Sequence, residues 1–166
     1  MKTVYFARHA KSDWNQPGVK DFDRPLNSRG EIDSTAMAVH LQHSGFQIQK
    51  IISSDAIRAL ATASEYKNHL TPDTEIIRNH LLYNASYLDI TEVLKSIPAE
   101  FSSVMLVGHN PGMSEVIDYY TQDGVGDMPT CSVAIIQFDV PNWNDIIISS
   151  GDLLGFEYPS GLKNKV

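Results

Sequence analysis

Residues 3–10 read TVYFARHA, in which four β-branched or aromatic residues lead directly into Ala-Arg-His. The apolar part predicts a buried strand, because β-branched and aromatic side chains favour the pleated surface of a sheet. Arg8 and His9 would then stand at its carboxyl end, where the ligands of α/β proteins bind. Residues 104–111, VMLVGHNP, repeat this layout and place His109 after a second strand. Two strands that each deliver a histidine predict one site assembled from distant parts of the chain.

A third basic segment, SSDAIRALATA, lies between these two strands at residues 53–63. It places Arg58 in the first turn of a predicted helix, near the end of the short strand that precedes it. An arginine–histidine pair after a strand, or an isolated GHNP sequence, is by itself typical of an ordinary loop. The three elements together predict a site that contains Arg8, His9, Arg58 and His109.

Strands and helices alternate along the whole chain. Besides the first strand, strands are predicted over residues 50–53, 104–107, 133–138 and 145–149, with one more within residues 75–82. Helices are predicted over residues 29–44, 55–69 and 89–97 and after Asn110. This alternation predicts a single α/β domain over residues 1–166, with a mostly parallel central sheet flanked by helices. The polar tail, residues 160–166, is expected to be frayed.

Composition and charge exclude several classes of protein. The net charge of −7 argues against a general nucleic-acid-binding surface, which needs a basic footprint. No apolar run approaches the roughly 20 residues that span a bilayer, and the N-terminus enters a strand without the apolar segment of a signal peptide. The one cysteine, Cys131, excludes an internal disulfide and fits a reducing compartment. We therefore expect a cytoplasmic protein that binds neither nucleic acid nor membrane.

The predicted quartet of two arginines and two histidines suits a phosphate-binding site. Guanidinium groups offer fork-shaped donors that match phosphate oxygens, and histidines can serve as a nucleophile and as a charge-stabilising group. Paired histidines also occur in metal sites, but flanking arginines repel a divalent cation. No HxxxH motif or carboxylate cluster accompanies them. We expect no metal and no cofactor.

Six segments resemble, in order, the histidine phosphatase (phosphoglycerate mutase-like) superfamily, and within it the SixA-like phosphohistidine phosphatases. They are RHAKSDWN (8–15), DFDRPLNSRG (21–30), SSDAIRALATA (53–63), LYNAS (82–86), VGHNPG (107–112) and PT (129–130). They run across most of the chain, and the ordered set is highly specific. The resemblance implies a phosphatase that needs no cofactor. It also implies a phosphohistidine-bearing partner protein, such as a phosphotransfer or signalling protein.

The resemblance implies a role for each residue of the quartet. His9 would be the nucleophile that becomes phosphorylated, and His109 would stabilise the charge of the transferring group. Arg8 and Arg58 would bind the phosphoryl oxygens.

Three residues of the loop after the first strand carry further expectations from the resemblance. Asn15 lies where the wider superfamily often places another phosphate contact, and Arg24 is a substrate-binding candidate typical of the SixA-like branch. The alternative for Arg24 is an ion pair with Asp21 or Asp23 that stabilises the loop. Trp14 is expected to be a packing residue of that loop.

The chain departs from the family's pattern at three places. Ala10 stands where the superfamily usually has glycine, and Asp55 stands where the SixA-like branch often has proline, which adds negative charge near a phosphate site. No convincing acid occupies residues 82–85, the region where many superfamily members carry a glutamate proton donor. A phosphoramidate needs less help, because its imidazole is a good leaving group once protonated. The missing acid therefore favours phosphohistidine over alkyl phosphates.

The leading hypothesis is hydrolysis of phosphohistidine in a partner protein through a phosphohistidine enzyme intermediate. Two alternatives stay open. One is a phosphatase of small phosphate esters that uses the same nucleophile. The other is a module that binds a phosphorylated group without turnover. Both histidines argue against this module, whereas Asp55 and the missing acid leave it open.

Overall fold

The computed structural model describes residues 1–162, which form one six-stranded sheet with helices on both faces. The strands are β1 (Lys2–Arg8), β2 (Lys50–Ser53), β3 (Ile77–Arg78), β4 (Ser103–Gly108), β5 (Val133–Phe138) and β6 (Gly151–Glu157). The helices are α1 (Ser28–His43), α2 (Ile57–Leu70), α3 (Tyr87–Lys95), α4 (Gly112–Tyr120) and α5 (Pro159–Leu162). Short 3-10 turns span Asp21–Asp23, His80–Leu82 and Trp143–Asp145.

The strand order is β3-β2-β4-β1-β5-β6. The first four of these strands are mutually parallel, and β5 and β6 run antiparallel to their neighbours. The predicted α/β class with a mostly parallel central sheet is therefore confirmed. The helices predicted over residues 29–44, 55–69 and 89–97 correspond to α1, α2 and α3, with ends that differ by at most two residues.

Strands β1 and β4 are direct neighbours in the middle of the sheet. Their residues pair in parallel so that Arg8 lies opposite Gly108. The next backbone N–H, that of His9, donates to the carbonyl oxygen of Gly108 at 3.0 Å. The two strands therefore end together, and His9 and His109 emerge side by side from the same edge.

Both faces of the sheet are buried, as expected for parallel strands covered by helices. Alternate residues of β1 enter different cores, since Phe6 packs in the cluster beneath α3 and α4 and Tyr5 in the cluster beneath α1 and α2. This two-sided burial accounts for the continuous apolar run at the N-terminus. It also places the polar residues that follow β1 on a rigid base.

The strand predicted within residues 75–82 is confirmed as β3, which is only two residues long. Only the two residues of β3 pair with β2. The Asn79 side chain then accepts the backbone N–H of Leu81 at 3.0 Å, which starts a 3-10 turn in place of a strand.

The strand predicted over residues 145–149 is also wrong, and the sixth strand comes later in the chain, as β6. Trp143 and Ile146 are both buried. The indole N–H of Trp143 donates to the carbonyl oxygen of Phe101 at 2.9 Å. The segment around Trp143 and Ile146 therefore packs on the core instead of joining the sheet. The next strand begins only at Gly151.

The expectation of a frayed tail over residues 160–166 is wrong for its first part. Residues up to 162 form α5, and Leu162 packs against the core beneath α1. Residues 163–166 lie outside the described part of the chain. In residues 1–162, no helix has both the length and the apolarity needed to cross a bilayer.

Candidate active site

A cleft of about 490 Å³ opens at the carboxyl ends of β1 and β4. The four side chains singled out in the sequence, Arg8, His9, Arg58 and His109, all line it. They come from the end of β1, the first turn of α2 and the residue after β4. The cleft is thus built from three segments that are far apart in the chain.

The ring of His9 is held in one tautomer. Its Nδ1 lies 2.6 Å from the carbonyl oxygen of Ala10, and its Nε2 lies 3.3 Å from Nε of Arg58. A guanidinium can only donate, so Nε2 must accept and Nδ1 carries the proton that is donated to Ala10. The free lone pair of the His9 ring is therefore on Nε2, the ring nitrogen that faces Arg58.

The ring of His109 is held by the same reasoning. Nη2 of Arg58 lies 3.2 Å from its Nδ1, so Nδ1 accepts. Its Nε2 then carries the proton and donates to Oγ of Ser54 at 2.8 Å. The two imidazole centroids lie 5.0 Å apart. Arg58 thus spans two histidines and sets the tautomer of both.

Both histidines are neutral at pH 7. Burial, with a further contribution from the charge of Arg58, lowers the pKa of His9 to about 4. Burial, with contributions from His9 and Arg58, lowers the pKa of His109 to about 3. A neutral imidazole is the nucleophilic form. An anion bound between these rings would favour protonation, because an opposite charge stabilises the imidazolium.

Arg8 has an unused donor beside the cleft. Its Nη1 donates to the carbonyl oxygen of Met128 at 2.6 Å. Its Nε is buried and has no hydrogen-bond partner within residues 1–162. A buried guanidinium N–H without a partner is costly, and an anionic oxygen would satisfy it with a charge-assisted bond. The arrangement around Arg8 therefore suits an oxyanion.

Asp21 is a cleft residue that the sequence interpretation considered only as a partner for Arg24. Its Oδ2 accepts from the Tyr83 hydroxyl at 2.6 Å and from Nη2 of Arg58 at 3.1 Å. Its backbone carbonyl accepts from Nη1 of Arg58 at 2.6 Å. Burial raises the pKa of Asp21, but hydrogen bonds from Tyr83 and Arg24 and the charge of Arg58 outweigh it and hold the pKa well below its usual range. Asp21 is therefore ionised.

Arg24 forms the predicted ion pair and also lines the cleft. Its Nη2 donates to Oδ1 of Asp21 at 2.8 Å, and Nη1 donates to the hydroxyl of Ser12. The partner is thus Asp21, not Asp23. The ion pair and the position in the cleft occur together, so a substrate-binding role for Arg24 remains a prediction.

Trp14 packs on a residue of its own loop, as predicted, but most of its side chain stays in solvent. Its side chain is 76% exposed, and one face of the ring lies over the guanidinium of Arg24, 3.4 Å from Cζ to the centroid. Asn15, the other candidate of this loop, is exposed and is not among the residues that line the cleft. The backbone N–H of Asn15 donates to Oδ1 of Asp13 at 2.8 Å.

Asp55 was expected to add negative charge near the phosphate site, but its carboxylate contacts His80 instead. Its carboxylate oxygens lie 2.8 and 2.9 Å from Nδ1 of His80, and Asp55 does not line the cleft. The negative charge of Asp55 was the electrostatic argument for a module that binds a phosphorylated group without turnover. This contact with His80 weakens that argument.

Three contributors to the site were missed as such by sequence reasoning: Ser54, Tyr83 and Asp21. Each lies in a segment that carried the family resemblance, which is the signal that could have drawn attention to it. In the described residues, 1–162, no group of three or more His, Cys, Asp or Glu side chains is arranged to hold a metal ion.

Comparison with known families decides which kind of protein this site belongs to. The family model described as "Histidine phosphatase superfamily (branch 1)" matches residues 4–102, more than half of the chain. The chain belongs to the histidine phosphatase superfamily. The matched range includes Arg8, His9 and Arg58, and His109 joins them through the fold. Membership in this superfamily, together with the cleft, identifies a phosphatase.

Several individual proteins are similar over nearly the whole chain. An uncharacterised chloroplast protein of Arabidopsis thaliana is 29% identical over 159 residues, which is 90% of this chain and 72% of the relative. A structure from Agrobacterium tumefaciens, provisionally named as the phosphohistidine phosphatase SixA, is 28% identical with a TM-score of 0.81 and covers 95% of this chain and 98% of that one. The protein histidine phosphatase SixA solved with tungstate, at 20% identity, has the same fold, with a TM-score of 0.82 over 96% of this chain and 99% of that one. Within its superfamily, this histidine phosphatase is thus SixA-like.

Proposed function

We propose that this phosphatase hydrolyses phosphohistidine in a partner protein through a phosphorylated His9. One observation carries the proposal. Among the described residues, Asp21 is the only carboxylic acid that lines the cleft, and it is ionised and hydrogen-bonded to Arg24, Arg58 and Tyr83. Such a carboxylate has no proton to give a leaving group. Phosphate esters of alcohols need that proton, whereas the imidazole of phosphohistidine can take one from water and leave as a neutral ring.

The first half-reaction transfers the phosphoryl group to the enzyme. The lone pair on Nε2 of His9 forms a bond to phosphorus while the phosphorus–nitrogen bond of the substrate breaks. The electron pair of that bond returns to the substrate imidazole, which is protonated by solvent. In the second half-reaction, water attacks phosphorus, the bond to Nε2 breaks, and its electron pair returns to His9. The oxygen of the water becomes part of the inorganic phosphate that leaves. The protons of the water stay on that phosphate or pass to solvent.

The arginines stabilise the charge that spreads over the transferring oxygens. Arg58 offers two N–H groups that Asp21 holds in the resting state, and Arg8 offers its unpartnered Nε. His109 gains a proton as the anion enters, since the negative charge offsets the burial that lowers its pKa. These groups supply fixed positive charge without a metal or an organic cofactor, and we propose that the enzyme uses neither.

The names of the structural neighbours support a phosphohistidine substrate. Two of the similar structures carry the name of the phosphohistidine phosphatase SixA, and one of these two was solved with tungstate, a tetrahedral oxyanion like phosphate. The partner in this proposal is a protein of the phosphotransfer or signalling type. A cytoplasmic location, where such partners and reduced cysteines occur, forms part of the proposal.

A substrate panel tests the proposal. It comprises a protein phosphorylated on histidine, phosphoramidate, and glycerol 2-phosphate as an alkyl monoester whose leaving alkoxide needs a proton. We expect turnover of the first two, at most slow turnover of the ester, and none by His9→Ala. A phosphoenzyme trapped in acid-free conditions should be labile to acid and stable to base, and absent from His9→Ala. Preference for the ester would establish the small-ester alternative, and binding without turnover would establish the non-catalytic one.

A further inference from the structure

Trp14 stands at the mouth of the active cleft with most of its side chain in solvent. It is 76% exposed, the largest exposed fraction among the large apolar residues of residues 1–162, and it lines the cleft. The phosphoryl transfer to and from His9 does not use it. A single exposed apolar side chain is ordinary, and Trp14 is set apart by its place in the lining of the catalytic cleft.

The loop that carries Trp14 is held firmly at its base. The backbone N–H of Asp13 donates to the carbonyl oxygen of Pro25 at 2.9 Å, and that of Asn27 donates to the carbonyl oxygen of Lys11 at 3.0 Å. A side chain on Gly30 would collide with the Lys11 carbonyl, so the glycine lets the loop lie against the start of α1. Trp14 is thus presented on a fixed support.

Only one face of the indole ring is covered. The guanidinium of Arg24 lies against that face, and Arg24 is itself fixed by Asp21 and Ser12. The ring therefore keeps its orientation without a cover on the other face. A rigid, pre-oriented aromatic ring loses little conformational entropy on binding, which is why tryptophan is enriched among the residues that dominate protein interfaces.

The cleft is shaped for more than a phosphoryl group. Its volume of about 490 Å³ lies in the range of sites that hold drug-sized ligands. Its charged lining consists of four cations, Arg8, Lys11, Arg24 and Arg58, and one carboxylate, Asp21. A segment that enters with a phosphoryl group and without cations of its own complements this lining.

We propose that Trp14 is a docking platform for the polypeptide that flanks the phosphohistidine, and that an apolar side chain of the partner protein packs on its free face. This inference rests on the proposed function, because it requires a protein substrate. It assigns the contact to substrate specificity and leaves the phosphoryl chemistry to the buried quartet.

Two substrates with the same leaving group test this platform. One is free phosphohistidine, and the other is a small histidine-containing phosphotransfer domain phosphorylated with phosphoramidate. For Trp14→Ala we expect KM for the phosphorylated domain to rise about tenfold or more, as for an interface hot spot, with kcat unchanged. The kcat/KM for free phosphohistidine should change by less than about twofold, because that substrate has no flanking polypeptide to pack on the ring. Trp14→Phe should recover most of the lost affinity, since it keeps a flat ring.

Ile147→Ala is the matched control, because Ile147 is 65% exposed and does not line the cleft. It should leave both substrates unaffected. Equal losses on the two substrates for Trp14→Ala would overturn the inference and assign Trp14 to the support of Arg24. An unchanged KM for the phosphorylated domain would overturn it as well. A wild-type enzyme that turns over free phosphohistidine but not the domain would refute the proposed function, and the platform with it, before any variant is made.

Discussion

The imidazole of His109 and the hydroxyl of Ser54 form a buried hydrogen bond of 2.8 Å between Nε2 and Oγ. Ser54 also accepts the backbone N–H of Ala56 at 3.2 Å, and it is fully buried. Since Arg58 donates to the other ring nitrogen, the proton of His109 must face Ser54. Ser54, which directly follows β2, thus orients the histidine that directly follows β4, with Nδ1 toward the cleft.

Replacement of this hydroxyl tests whether ring orientation matters for catalysis. We expect Ser54→Ala to lower kcat by about tenfold to 100-fold, by analogy with the loss of the outer hydrogen-bond partner of a metal-bound histidine. The loss should come with a shifted pH profile, because the proton of His109 loses its acceptor. Ser53→Ala is the matched control, since the Ser53 hydroxyl donates to the carbonyl oxygen of Ser54 at 2.8 Å and contacts neither histidine within residues 1–162. Equal effects of the two substitutions would show that the loss is merely structural.

Asp21 competes with an incoming anion for the donors of Arg58. We expect Asp21→Asn to tighten inhibition by vanadate by about fivefold to tenfold, because one negative charge beside the site is worth roughly 1–1.4 kcal/mol at high effective dielectric. Steady-state inhibition constants measure this directly. Asp23→Asn removes the same charge from an exposed neighbour in the same turn and should change the constant little. Weaker vanadate binding to Asp21→Asn would show that Asp21 positions the arginines more than it opposes the anion.

The two buried histidines make the stability of the fold depend on pH. Their pKa values fall from 6.5 to about 4 for His9 and to about 3 for His109. The unfolded chain therefore binds protons first as the pH drops. Their contribution is fully present above about pH 6.5 and is lost as the pH falls through the window down to their folded pKa values. The free energy of unfolding should decrease by up to about 1.4 kcal/mol per pH unit for each histidine.

Denaturant titrations at pH 7, 6, 5 and 4 measure this dependence. The double variant His9→Gln, His109→Gln should have a flatter profile across the window. His43→Gln, which removes an exposed histidine at the end of α1, should retain the wild-type slope. If the double variant kept the full slope, other groups would be responsible for it.

Arg58 contacts both histidines and Asp21, and it is 4% exposed. We expect Arg58→Ala to lower kcat/KM by roughly 100-fold to 1,000-fold, or about 2.7–4 kcal/mol, the usual effect of removing a donor that stabilises transition-state charge. Vanadate inhibition should weaken in parallel. Arg58→Lys keeps the charge without the planar fork and should recover only part of the loss. Near-wild-type kinetics from a folded Arg58→Ala protein, verified by its thermal unfolding, would place the phosphate site elsewhere.

Removal of metal ions tests whether the arginines alone provide the positive charge that the reaction needs. The arginines already provide positive charge at the transferring oxygens, so activity should survive excess EDTA. Activity measured before and after chelation, with a known metallophosphatase as a positive control, checks this. Loss of activity with recovery on adding a divalent ion would make His9 and His109 candidate ligands and favour a metallophosphatase mechanism.

Local sequence was sufficient for the framework of the molecule. The apolar runs of β1 and β4 predicted buried strands, and their polar ends indicated where Arg8 and His9 on one side and His109 on the other would lie. This works because side-chain periodicity and burial are properties of short segments, and because parallel strands end at a common edge. The structure brings these side chains, with Arg58, around one cleft.

Other features depended on contacts that no local pattern contains. Asp21 meets Arg58 across 37 positions of the chain, and Ser54 meets His109 across 55. Because Trp143 is buried and bonded to Phe101, the last strand begins later in the chain than predicted. Because the ring of Trp14 stacks on the guanidinium of Arg24, it faces solvent and not the interior of its loop. Each of these outcomes is a choice among hydrogen-bonding or packing partners that become neighbours only after the sheet has formed. Short-range propensity sets which segments pair, whereas the free energy of burial and of polar satisfaction across the assembled fold sets which side chains meet in the cleft.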